Sequence, residues 1–360
     1  MSKTLRVDLR ERGYDIHIGT ELGPGAVLSA EQGTQVLIIS DSNVDALYGA
    51  RAEQMLAARG LEVRRTVVPA GEQSKDLGVV RRLYGEAVKA GLDRRSVIVA
   101  LGGGMIGDLA GFVAATYLRG IRFVQAPTTL LAMVDSSVGG KVGVNLEEGK
   151  NLVGAFHQPA EVCADLTTLK TLPDREYLSG LAEVVKYGVI WDAPFFETIE
   201  AHVEALRRRD AALLESVVGR CCEIKAEVVR VDEMETGVRA ILNFGHTLGH
   251  ALEQVSGYGR WLHGEAVAVG MVFAGELAAL VKGFRRDDAR RLRDLLQRLG
   301  LPVSAGAAAD WTGIRTAMTT DKKARQRVPR FVLAEKLGGV VFGCEVPEAA
   351  LEKTFASIRA

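Results

Sequence analysis

The stretch Leu101-Gly102-Gly103-Gly104-Met105-Ile106-Gly107-Asp108 follows a run of apolar residues and leads into a segment with helical spacing. Three of its glycines match the pattern G-x-G-x-x-G, in which glycine lets the backbone turn tightly and approach a pyrophosphate at the amino end of a helix. The pattern is weak by itself, because a tight strand-to-helix turn without a ligand also needs glycine. Its position between a predicted strand and a predicted helix favours a dinucleotide-binding unit.

Short apolar strands and helices alternate on both sides of this turn. The predicted strands cover 36–40, 62–68, 96–101 and 122–125, and the helices between them include 44–59, 75–90 and 109–117. Buried strands that alternate with helices predict a mainly parallel sheet with helices on both faces.

The acidic residue that usually binds the ribose, about 20 residues after the glycine pattern, is missing. The strand in that position, 121–127, carries no acid. Asp41, directly after the strand 36–40, is the candidate for this role. A cap of the following helix explains Asp41 equally well.

The pattern changes after about residue 170, where long helical segments begin. They cover 174–190, 194–206, 210–234, 240–256, 263–283 and 286–299, and one late hairpin is expected over 329–333 and 339–342. The sequence therefore predicts an α/β protein, with an N-terminal Rossmann-like parallel-sheet domain over 1–170 and an all-α C-terminal domain over 171–360. A cleft between two such domains is a common place for a ligand.

Charge and composition exclude several classes of protein. Lysine plus arginine number 45 and aspartate plus glutamate number 45 among 360 residues, so no basic excess exists to hold a nucleic acid,. No uncharged run reaches the roughly 18 apolar residues of a membrane span. The four cysteines show no C-x-x-C spacing, which favours a reduced, cytoplasmic protein.

Three of the six histidines fall between residues 246 and 263. His246 and His250 stand four positions apart in a predicted helix, so both rings project from one face. His263 opens the next helix. Two imidazoles with one carboxylate suit a catalytic zinc site that keeps one position open, although helical histidines are often ordinary core or surface residues. The pattern leaves the carboxylate open among Glu183, Glu253 and Glu265.

Polar residues are concentrated in Val134-Asp135-Ser136-Ser137-Val138-Gly139-Gly140-Lys141 and in Glu148-Gly149-Lys150-Asn151. Such runs are typical of phosphate- or sugar-binding loops, and an ordinary polar connection is the alternative. The spacing of a P-loop is absent, which argues against a nucleotide triphosphatase. Arg239, Asn243 and His246 are expected at helical spacing on one face.

Many separate strings, in order along nearly the whole chain, resemble the 3-dehydroquinate synthase family. They are Ala-Gly-Glu-Gln-Ser-Lys (70–75), the glycine-rich turn (101–108), Tyr-Leu-Arg-Gly (117–120), Pro-Thr-Thr-Leu-Leu (127–131), Val-Asp-Ser-Ser-Val-Gly-Gly-Lys (134–141), Gly-Lys-Asn (149–151), Gly-Ala-Phe-His-Gln-Pro (154–159), Leu-Ala-Glu-Val-Val-Lys-Tyr-Gly (181–188), Asn-Phe-Gly-His-Thr-Leu-Gly-His (243–250), Leu-His-Gly-Glu-Ala-Val (262–267) and Asp-Lys-Lys (321–323).

The resemblance implies a carbon–oxygen lyase acting on phosphates. Its substrate is 3-deoxy-D-arabino-heptulosonate 7-phosphate and its products are 3-dehydroquinate and phosphate, the second step of the shikimate pathway. The implied reaction combines transient NAD-dependent oxidation, phosphate elimination, re-reduction and aldol cyclisation. The implied cofactors are NAD and a divalent metal, zinc or cobalt. A homodimer with its active site between the two domains is implied too, without nucleic acid or membrane as a partner.

The resemblance also assigns site residues. The implied metal ligands are Glu183, His246 and His263. The implied NAD contacts are Asp41, Ala70, Gly71, Glu72, Gln73, Ser74, Lys75, Gly104, Met105, Ile106, Gly107, Asp108, Thr128, Thr129, Lys141, Lys150, Thr168, Leu169, Lys170 and Thr171. The implied substrate contacts and catalytic residues are Asp135, Lys141, Asn151, Lys186, Lys225, Arg239, Asn243, His250 and one of Lys322 or Lys323, with Arg119 lent by the neighbouring subunit.

One departure and three alternatives accompany this resemblance. Val142 stands where the family generally has threonine, which removes one potential hydrogen bond. A related cyclase acting on sedoheptulose 7-phosphate or glucose 6-phosphate is the first alternative; the presence of Lys225, Arg239 and Asn243, which suit a substrate carboxylate, argues against it. A metal-dependent polyol dehydrogenase is the second. A non-catalytic NAD-binding regulator is the third, and the intact metal ligands argue against it.

Overall fold

The computed structural model describes residues 2–257, 260–320 and 328–359. They group into two compact units, of which the first comprises Met1–Leu172 and Leu214–Arg230 and the second Pro173–Leu213 and Val231–Ala360. The α/β class with a helical C-terminal part is confirmed.

The first unit is built on a parallel sheet. Its strands are β1 (Ser2–Val7), β2 (Tyr14–Gly19), β3 (Gln35–Asp41), β4 (Glu62–Val68), β5 (Val97–Gly102), β6 (Arg122–Pro127), β7 (Lys141–Leu146), β8 (Gly149–Phe156) and β9 (Glu161–Asp165). Seven of them form one sheet in the order β1-β2-β9-β6-β5-β3-β4, in which only β1 runs antiparallel to its neighbour. Strands β7 and β8 form a separate antiparallel hairpin.

The helices of this unit cover the two faces of the sheet. They are α1 (Gly23–Val27), α2 (Ser42–Val44), α3 (Ala50–Ala57), α4 (Leu77–Lys89) and α5 (Gly104–Thr116). A π-helical segment, Asp45–Gly49, joins α2 to α3 in one continuous helical stretch, so the helix predicted over 44–59 is confirmed, with its start at Ser42 and its end at Ala57. Helix α5 begins at Gly104 rather than at Leu109, which places the glycine pattern at a true helix start.

The strand order identifies the edge where a ligand is expected. Strands β3 and β5 are neighbours in the sheet. The chain continues from β3 to β4 on one side of this pair and from β5 to β6 on the other side. In open α/β sheets, ligands bind at such a switch point, beyond the carboxyl ends of the strands. Asp41 and the glycine-rich turn both lie at this edge.

The second unit is mainly helical. Its helices are α6 (Asp174–Ile190), α7 (Ala193–Ala201), α8 (Val203–Arg207), α10 (His246–Val255), α11 (His263–Val281), α12 (Arg286–Leu299), α13 (Trp311–Thr320) and α14 (Glu348–Ser357), while α9 (Ala211–Val231) contributes its central residues to the first unit. The late hairpin is present as β10 (Phe331–Lys336) and β11 (Gly339–Cys344).

Two helix predictions in this unit are wrong. The segment predicted as one helix over 194–206 forms α7 and α8. The helix predicted over 240–256 is instead a 3₁₀ turn, Val238–Asn243, followed by Gly245 in the left-handed region (φ +81°) and then by α10. Arg239 and Asn243 therefore do not share a helical face with His246.

Helix α11 is mostly apolar, and most of its residues from Gly264 to Ala278 are buried, which marks a core helix,. Its length and composition would also allow it to cross a membrane, but 72% of its most apolar stretch is buried inside the protein. It is the core helix against which α6 and α10 pack.

Candidate active site

Glu183, His246 and His263 converge within the second unit, as predicted for the metal ligands. Glu183 Oε1, on α6, lies 3.6 Å from His246 Nε2 on α10 and 3.8 Å from His263 Nε2 on α11. One nitrogen or oxygen from each side chain lies within 4.8 Å of the other two. Ligands about 2.0–2.2 Å from a tetrahedral zinc ion lie roughly 3.3 Å apart, so this spacing fits one cation after small adjustments.

Hydrogen bonds on the opposite side of each imidazole ring favour this use. His246 Nδ1 lies 3.0 Å from the carbonyl oxygen of Phe244, and His263 Nδ1 lies 3.1 Å from Glu253 Oε2. A carbonyl or carboxylate oxygen accepts a hydrogen bond from a protonated Nδ1, which leaves Nε2 with its lone pair toward the cluster. Metal-binding histidines are normally held by such a second hydrogen bond.

Glycine allows the helices to approach closely enough for this convergence. A Cβ atom on Gly264, next to His263, would lie 1.8 Å from the carbonyl oxygen of Ser179 on α6. The backbone N–H of Gly264 also donates to Ser179 Oγ at 3.0 Å. A larger residue at this position would push the start of α11 away from α6 and separate His263 from Glu183.

The chemistry of the donor set fits a divalent cation. Glu183 is fully buried, and its Oε1 accepts no hydrogen bond among the described residues. Its Oε2 forms an ion pair with Lys186, which stands one turn further along α6 and is 1% exposed. A buried carboxylate with an oxygen directed at two imidazoles is costly unless a cation or proton compensates for it.

The two other candidate carboxylates have different roles. Glu265 binds Arg175 through Oε1 at 2.7 Å and accepts a hydrogen bond from the backbone N–H of Leu262 at the start of α11. Glu253 faces His263 Nδ1, and with His250 and His263 it forms a second group of potential ligands. The geometry therefore favours Glu183 as the carboxylate ligand of the first group.

The remaining predicted residues of the second unit lie beside these ligands or on the 3₁₀ turn before α10. The His250 ring centroid lies 5.4 Å from that of His246 and 5.9 Å from that of His263. Arg239 is 1% exposed and its guanidinium donates to the carbonyl oxygen of Glu233 at 2.5 Å. Asn243 Nδ2 donates to Glu235 Oε1 at 3.3 Å. Lys322 and Lys323 lie outside the described residues.

In the first unit, predicted NAD contacts gather at the carboxyl edge of the sheet. Asp41 Oδ1 accepts hydrogen bonds from the backbone N–H groups of Asn43 and Val44, which is the capping role that its position also allowed. Residues 70–75 approach this edge, because the backbone N–H of Ala70 donates to Ser42 Oγ at 3.2 Å. The 3₁₀ segment Leu166–Lys170, with Thr171 next to it, follows β9 at the same edge.

A cavity of about 390 Å³, including space open to solvent, lies at this edge of the first unit. Its lining includes Leu101, Pro127, Thr128, Thr168 and Tyr48. The hydroxyl of Thr128 is buried and has no hydrogen-bond partner among the described residues. A buried hydroxyl without a hydrogen-bond partner, beside a mostly apolar cavity, fits a planar ligand that carries hydrogen-bonding groups on its edges.

Lys75 connects three of the predicted segments. Its ammonium group lies 2.5 Å from Asp108 Oδ2 on α5 and 2.5 Å from Asn151 Oδ1 on β8. Burial raises the pKa of Asp108, while the charge and hydrogen bond of Lys75 oppose that rise. The loop 70–75, the glycine-rich helix and the β7–β8 hairpin are thereby held together.

The polar run 134–141 is ordered by a residue far away in the sequence. Lys225, on α9, binds both the carboxylate and the backbone carbonyl oxygen of Asp135. Thr129 Oγ1 accepts a hydrogen bond from the backbone N–H of Ala132. Lys141 is exposed and Lys150 half-buried.

The departure at Val142 has a packing explanation. Val142 is 5% exposed and belongs to the apolar core of the first unit. Its Cγ1 atom lies where a Cβ on Gly111 of α5 would clash, at 2.4 Å. A valine here fills the contact between β7 and α5 with a methyl group.

Sequence reasoning missed several residues that hold the predicted ones. Asn145 Nδ2 donates to Glu72 Oε1 at 2.8 Å, while its Oδ1 accepts from the backbone N–H of Asn151 at 2.9 Å. The hydroxyl of Tyr48 lies 2.5 Å from Thr171 Oγ1. Asp232 accepts hydrogen bonds from the backbone N–H groups of Thr236, Gly237 and Arg239. No motif marks these residues, because their contacts depend on the tertiary structure.

Arg119 lies on an exposed turn, Tyr117–Arg119, with unusual backbone geometry. Leu118 (φ +50°) and Arg119 (φ +69°) both occupy the left-handed region. Leu118 is 41% exposed and Phe156, at the end of β8, is 40% exposed.

Two solved structures resemble the chain along nearly its whole length. One is ValA, a 2-epi-5-epi-valiolone synthase from Streptomyces hygroscopicus subsp. jinggangensis 5008 with NAD+ and Zn2+ bound (28% identity, 96% of each chain covered, TM-score 0.87). The other is 2-deoxy-scyllo-inosose synthase with carbaglucose-6-phosphate, NAD+ and Co2+ (28% identity, 99% of this chain and 100% of that chain, TM-score 0.89). The fold, the candidate metal ligands of the second unit and the predicted NAD contacts of the first unit together indicate the class of sugar-phosphate cyclases.

Curated relatives and family profiles narrow this class. The profile for the 3-dehydroquinate synthase N-terminal part matches residues 65–179 and that for the C-terminal part residues 180–324. The 3-dehydroquinate synthase of Desulforamulus reducens is 48% identical over 96% of this chain and 97% of its own, and that of Symbiobacterium thermophilum is 48% identical over 98% and 100%. The chain belongs to the 3-dehydroquinate synthase family.

Proposed function

We propose that the protein converts 3-deoxy-D-arabino-heptulosonate 7-phosphate to 3-dehydroquinate and phosphate with NAD and a divalent metal. Relatives named for this activity are 46–48% identical over at least 94% of the chain. The single observation that carries the proposal is the group Glu183, His246 and His263, with the buried cation of Lys186 on the same helix as Glu183.

Glu183, His246 and His263 would hold the metal, and we propose zinc or cobalt. A divalent ion bound by two imidazoles and a carboxylate supplies Lewis-acid stabilisation of a substrate oxygen. Neighbouring residues would orient the ligands before the metal binds. Phe244 and Glu253 fix the proton of each ring on Nδ1, and Lys186 limits the cost of burying Glu183,.

NAD would lie along the carboxyl edge of the sheet in the first unit. Bound there, NAD would supply reversible hydride transfer to the reaction. Asp41 and residues 70–75 would bind one part of it, and the amino end of α5, which starts at Gly104, offers backbone N–H groups to the pyrophosphate,. The buried hydroxyl of Thr128, which has no hydrogen-bond partner among the described residues, would form a hydrogen bond with NAD.

The substrate carries a carboxylate and a phosphate, so cationic and amide side chains must bind it. We assign this role to Lys141, Asn151 and Lys225 of the first unit and to Lys186, Arg239 and Asn243 of the second, with one of Lys322 or Lys323. Asp135, whose carboxylate pairs with Lys225, would instead accept a hydrogen bond from a substrate hydroxyl group,. His250, whose ring faces those of the two histidine ligands, would hold and move a proton. The domain boundary at residue 170 and an active site between the domains stay predictions.

A homodimer in the cytoplasm completes the proposal. Arg119 would reach the partner's site from its exposed turn, in which Leu118 and Arg119 both occupy the left-handed region. Mixing inactive Arg119→Ala with inactive His250→Ala tests this: shared sites predict recovery of about a quarter of the wild-type activity, and no recovery would exclude the exchange. The free cysteines of the described residues agree with a reducing compartment,.

A continuous phosphate-release assay tests the activity. The purified protein with NAD and zinc should release phosphate from the heptulosonate phosphate without net formation of NADH. Glu183→Gln should lose both metal and activity. The matched control for the histidine ligands is His202→Ala, since His202 is an exposed helix-end histidine hydrogen-bonded to Thr198; it should retain activity, whereas His246→Ala should not.

The same assay separates the alternatives. Turnover of sedoheptulose 7-phosphate or glucose 6-phosphate, with none of the heptulosonate phosphate, would identify another cyclase. Net NADH production from glycerol would identify a polyol dehydrogenase; the resemblance to the glycerol dehydrogenase of Schizosaccharomyces pombe (14% identity, TM-score 0.64) concerns the fold alone.

A further inference from the structure

The loop between α9 and the 3₁₀ turn Val238–Asn243 is organised around one carboxylate. Asp232 is 9% exposed. Its Oδ1 accepts hydrogen bonds from the backbone N–H of Thr236 at 2.8 Å and from Thr236 Oγ1 at 3.2 Å. Its Oδ2 accepts from the backbone N–H groups of Gly237 at 2.7 Å and Arg239 at 3.0 Å. Four donors from the next seven residues thus bind a single side chain.

This loop supports Arg239 and Asn243. The backbone N–H of Arg239 is held by Asp232, and its guanidinium is held by the carbonyl oxygen of Glu233. Asn243 Nδ2 donates to Glu235, whose backbone is in the left-handed region at φ +56°. The conformation of the loop therefore sets where the Arg239 guanidinium points.

Burial and charge explain why an aspartate is needed. Burial alone would raise the pKa of Asp232, but hydrogen bonds from the backbone N–H groups of Thr236, Arg239 and Gly237 outweigh this and lower it. The side chain is therefore an anion that accepts four hydrogen bonds. An asparagine has the same shape but would direct its NH₂ group at N–H donors, so two of the four bonds would be lost.

We propose that Asp232 is a positioning residue that fixes Arg239 for binding the anionic substrate. The inference rests on the proposed function, in which Arg239 contacts the substrate. Within the described part of the chain, the carboxylate of Asp232 binds Thr236, Gly237 and Arg239 rather than a candidate metal ligand. The hydrogen bonds that orient His246 and His263 involve Phe244 and Glu253 instead.

The test compares Asp232→Asn with Asp93→Asn. Asp93 is the matched control, because its carboxylate accepts hydrogen bonds from the backbone N–H groups of Arg95 and Ser96 and from Ser96 Oγ, in a turn before β5. We expect Asp232→Asn to raise KM for the heptulosonate phosphate about 10- to 100-fold, with kcat changed less and zinc content unchanged. Asp93→Asn should leave KM at the wild-type value.

A second variant and a second readout keep the test decisive. Thr236→Val removes one of the four hydrogen bonds without changing shape and should raise KM about threefold in the same direction. Independently of the substrate, phenylglyoxal labelling mapped by mass spectrometry should modify Arg239 at least about tenfold faster in Asp232→Asn than in the wild type.

The outcomes separate this inference from the proposed function. If the wild type does not turn over the heptulosonate phosphate, the proposed function fails and the labelling of Arg239 still decides the role of Asp232. An unchanged KM together with unchanged labelling, or a loss of zinc parallel to the loss of affinity, overturns the positioning role.

Discussion

His263 Nδ1 lies 3.1 Å from Glu253 Oε2, while His263 Nε2, on the other side of the ring, lies 3.8 Å from Glu183 Oε1. The two nitrogens of one imidazole are thus directed at two carboxylates, Glu253 on α10 and Glu183 on α6. The hydrogen bond to Glu253 fixes both the ring orientation and the proton on Nδ1, which makes Nε2 a better ligand.

Replacing Glu253 with glutamine should therefore weaken zinc binding without abolishing it. The amide oxygen can still accept from Nδ1 but carries no charge, so we expect about 10- to 100-fold lower affinity. Competition with a chromogenic chelator measures this directly. Glu276→Gln, at a partly exposed position of α11 where Glu276 pairs with Arg293, is the control and should bind zinc like the wild type. Equal affinity in the two variants would contradict the role of Glu253.

Glu161, at the start of β9, predicts a dependence of stability on pH. It is 9% exposed; burial raises its pKa, and the hydrogen bond from the backbone N–H of Ser29 only partly opposes this. Its Oε2 has no hydrogen-bond partner among the described residues. Because the folded state binds this proton more tightly than the unfolded chain, the contribution of Glu161 to stability falls as pH rises above about 4.5,.

Glu161→Gln removes this titration. The unfolding free energy of the variant minus that of the wild type should therefore increase between pH 4 and pH 7, and then level off. Urea unfolding at several pH values measures it. Glu227→Gln, at an exposed position of α9, should show no such change, and a difference that moved against the Glu161 variant with rising pH would refute the prediction.

The cysteines should differ in reactivity according to burial. Cys163, Cys221 and Cys222 are buried, and Cys344 is half-buried. Burial raises the pKa of Cys222 to about 12, so only about one thiolate in ten thousand exists at pH 8. With a disulfide reagent at pH 8, the native protein should react at one thiol and the unfolded protein at four. Cys344→Ser should abolish the native reaction, and persistence of that reaction would contradict the assignment.

The histidines of α10 illustrate what the sequence could predict. His246 and His250 are four residues apart on one helix, and the period of that helix alone places them on one face,. The strands and the glycine-rich turn were also predictable, because apolar runs and glycine spacing are local signals in the sequence. Glu183 could not be selected over Glu253 and Glu265 by spacing, because the choice depends on how α6, α10 and α11 pack.

Arg239 and Asn243 mark the limit of this reasoning. Their apolar neighbours at helical spacing predicted one helix over 240–256, yet the 3₁₀ turn ends at Asn243, and Gly245 adopts a left-handed conformation directly before α10. A Cβ on Gly245 would lie 2.6 Å from Met271 Cγ, so close packing against α11 demands glycine there. Such a constraint comes from a helix later in the sequence and has no local signal.

Lys75 and Asp108 provide a last test, because each is costly to bury without the other. Lys75 is 4% exposed, and its ammonium lies 2.5 Å from Asp108. Lys75→Met leaves the carboxylate of Asp108 without its cation, and we expect a loss of about 3 kcal/mol in unfolding free energy.

The double variant Lys75→Met with Asp108→Asn should recover part of that loss, because the remaining group is neutral. Urea unfolding of the wild type, both single variants and the double variant gives the coupling free energy, expected at about 1–3 kcal/mol. Lys89→Met, which breaks the exposed pair with Glu86, serves as the control and should cost less than about 1 kcal/mol. If the losses of the two single variants simply add, the Lys75–Asp108 contact does not hold the loop 70–75 to α5, and the arrangement proposed for NAD loses its support on that side.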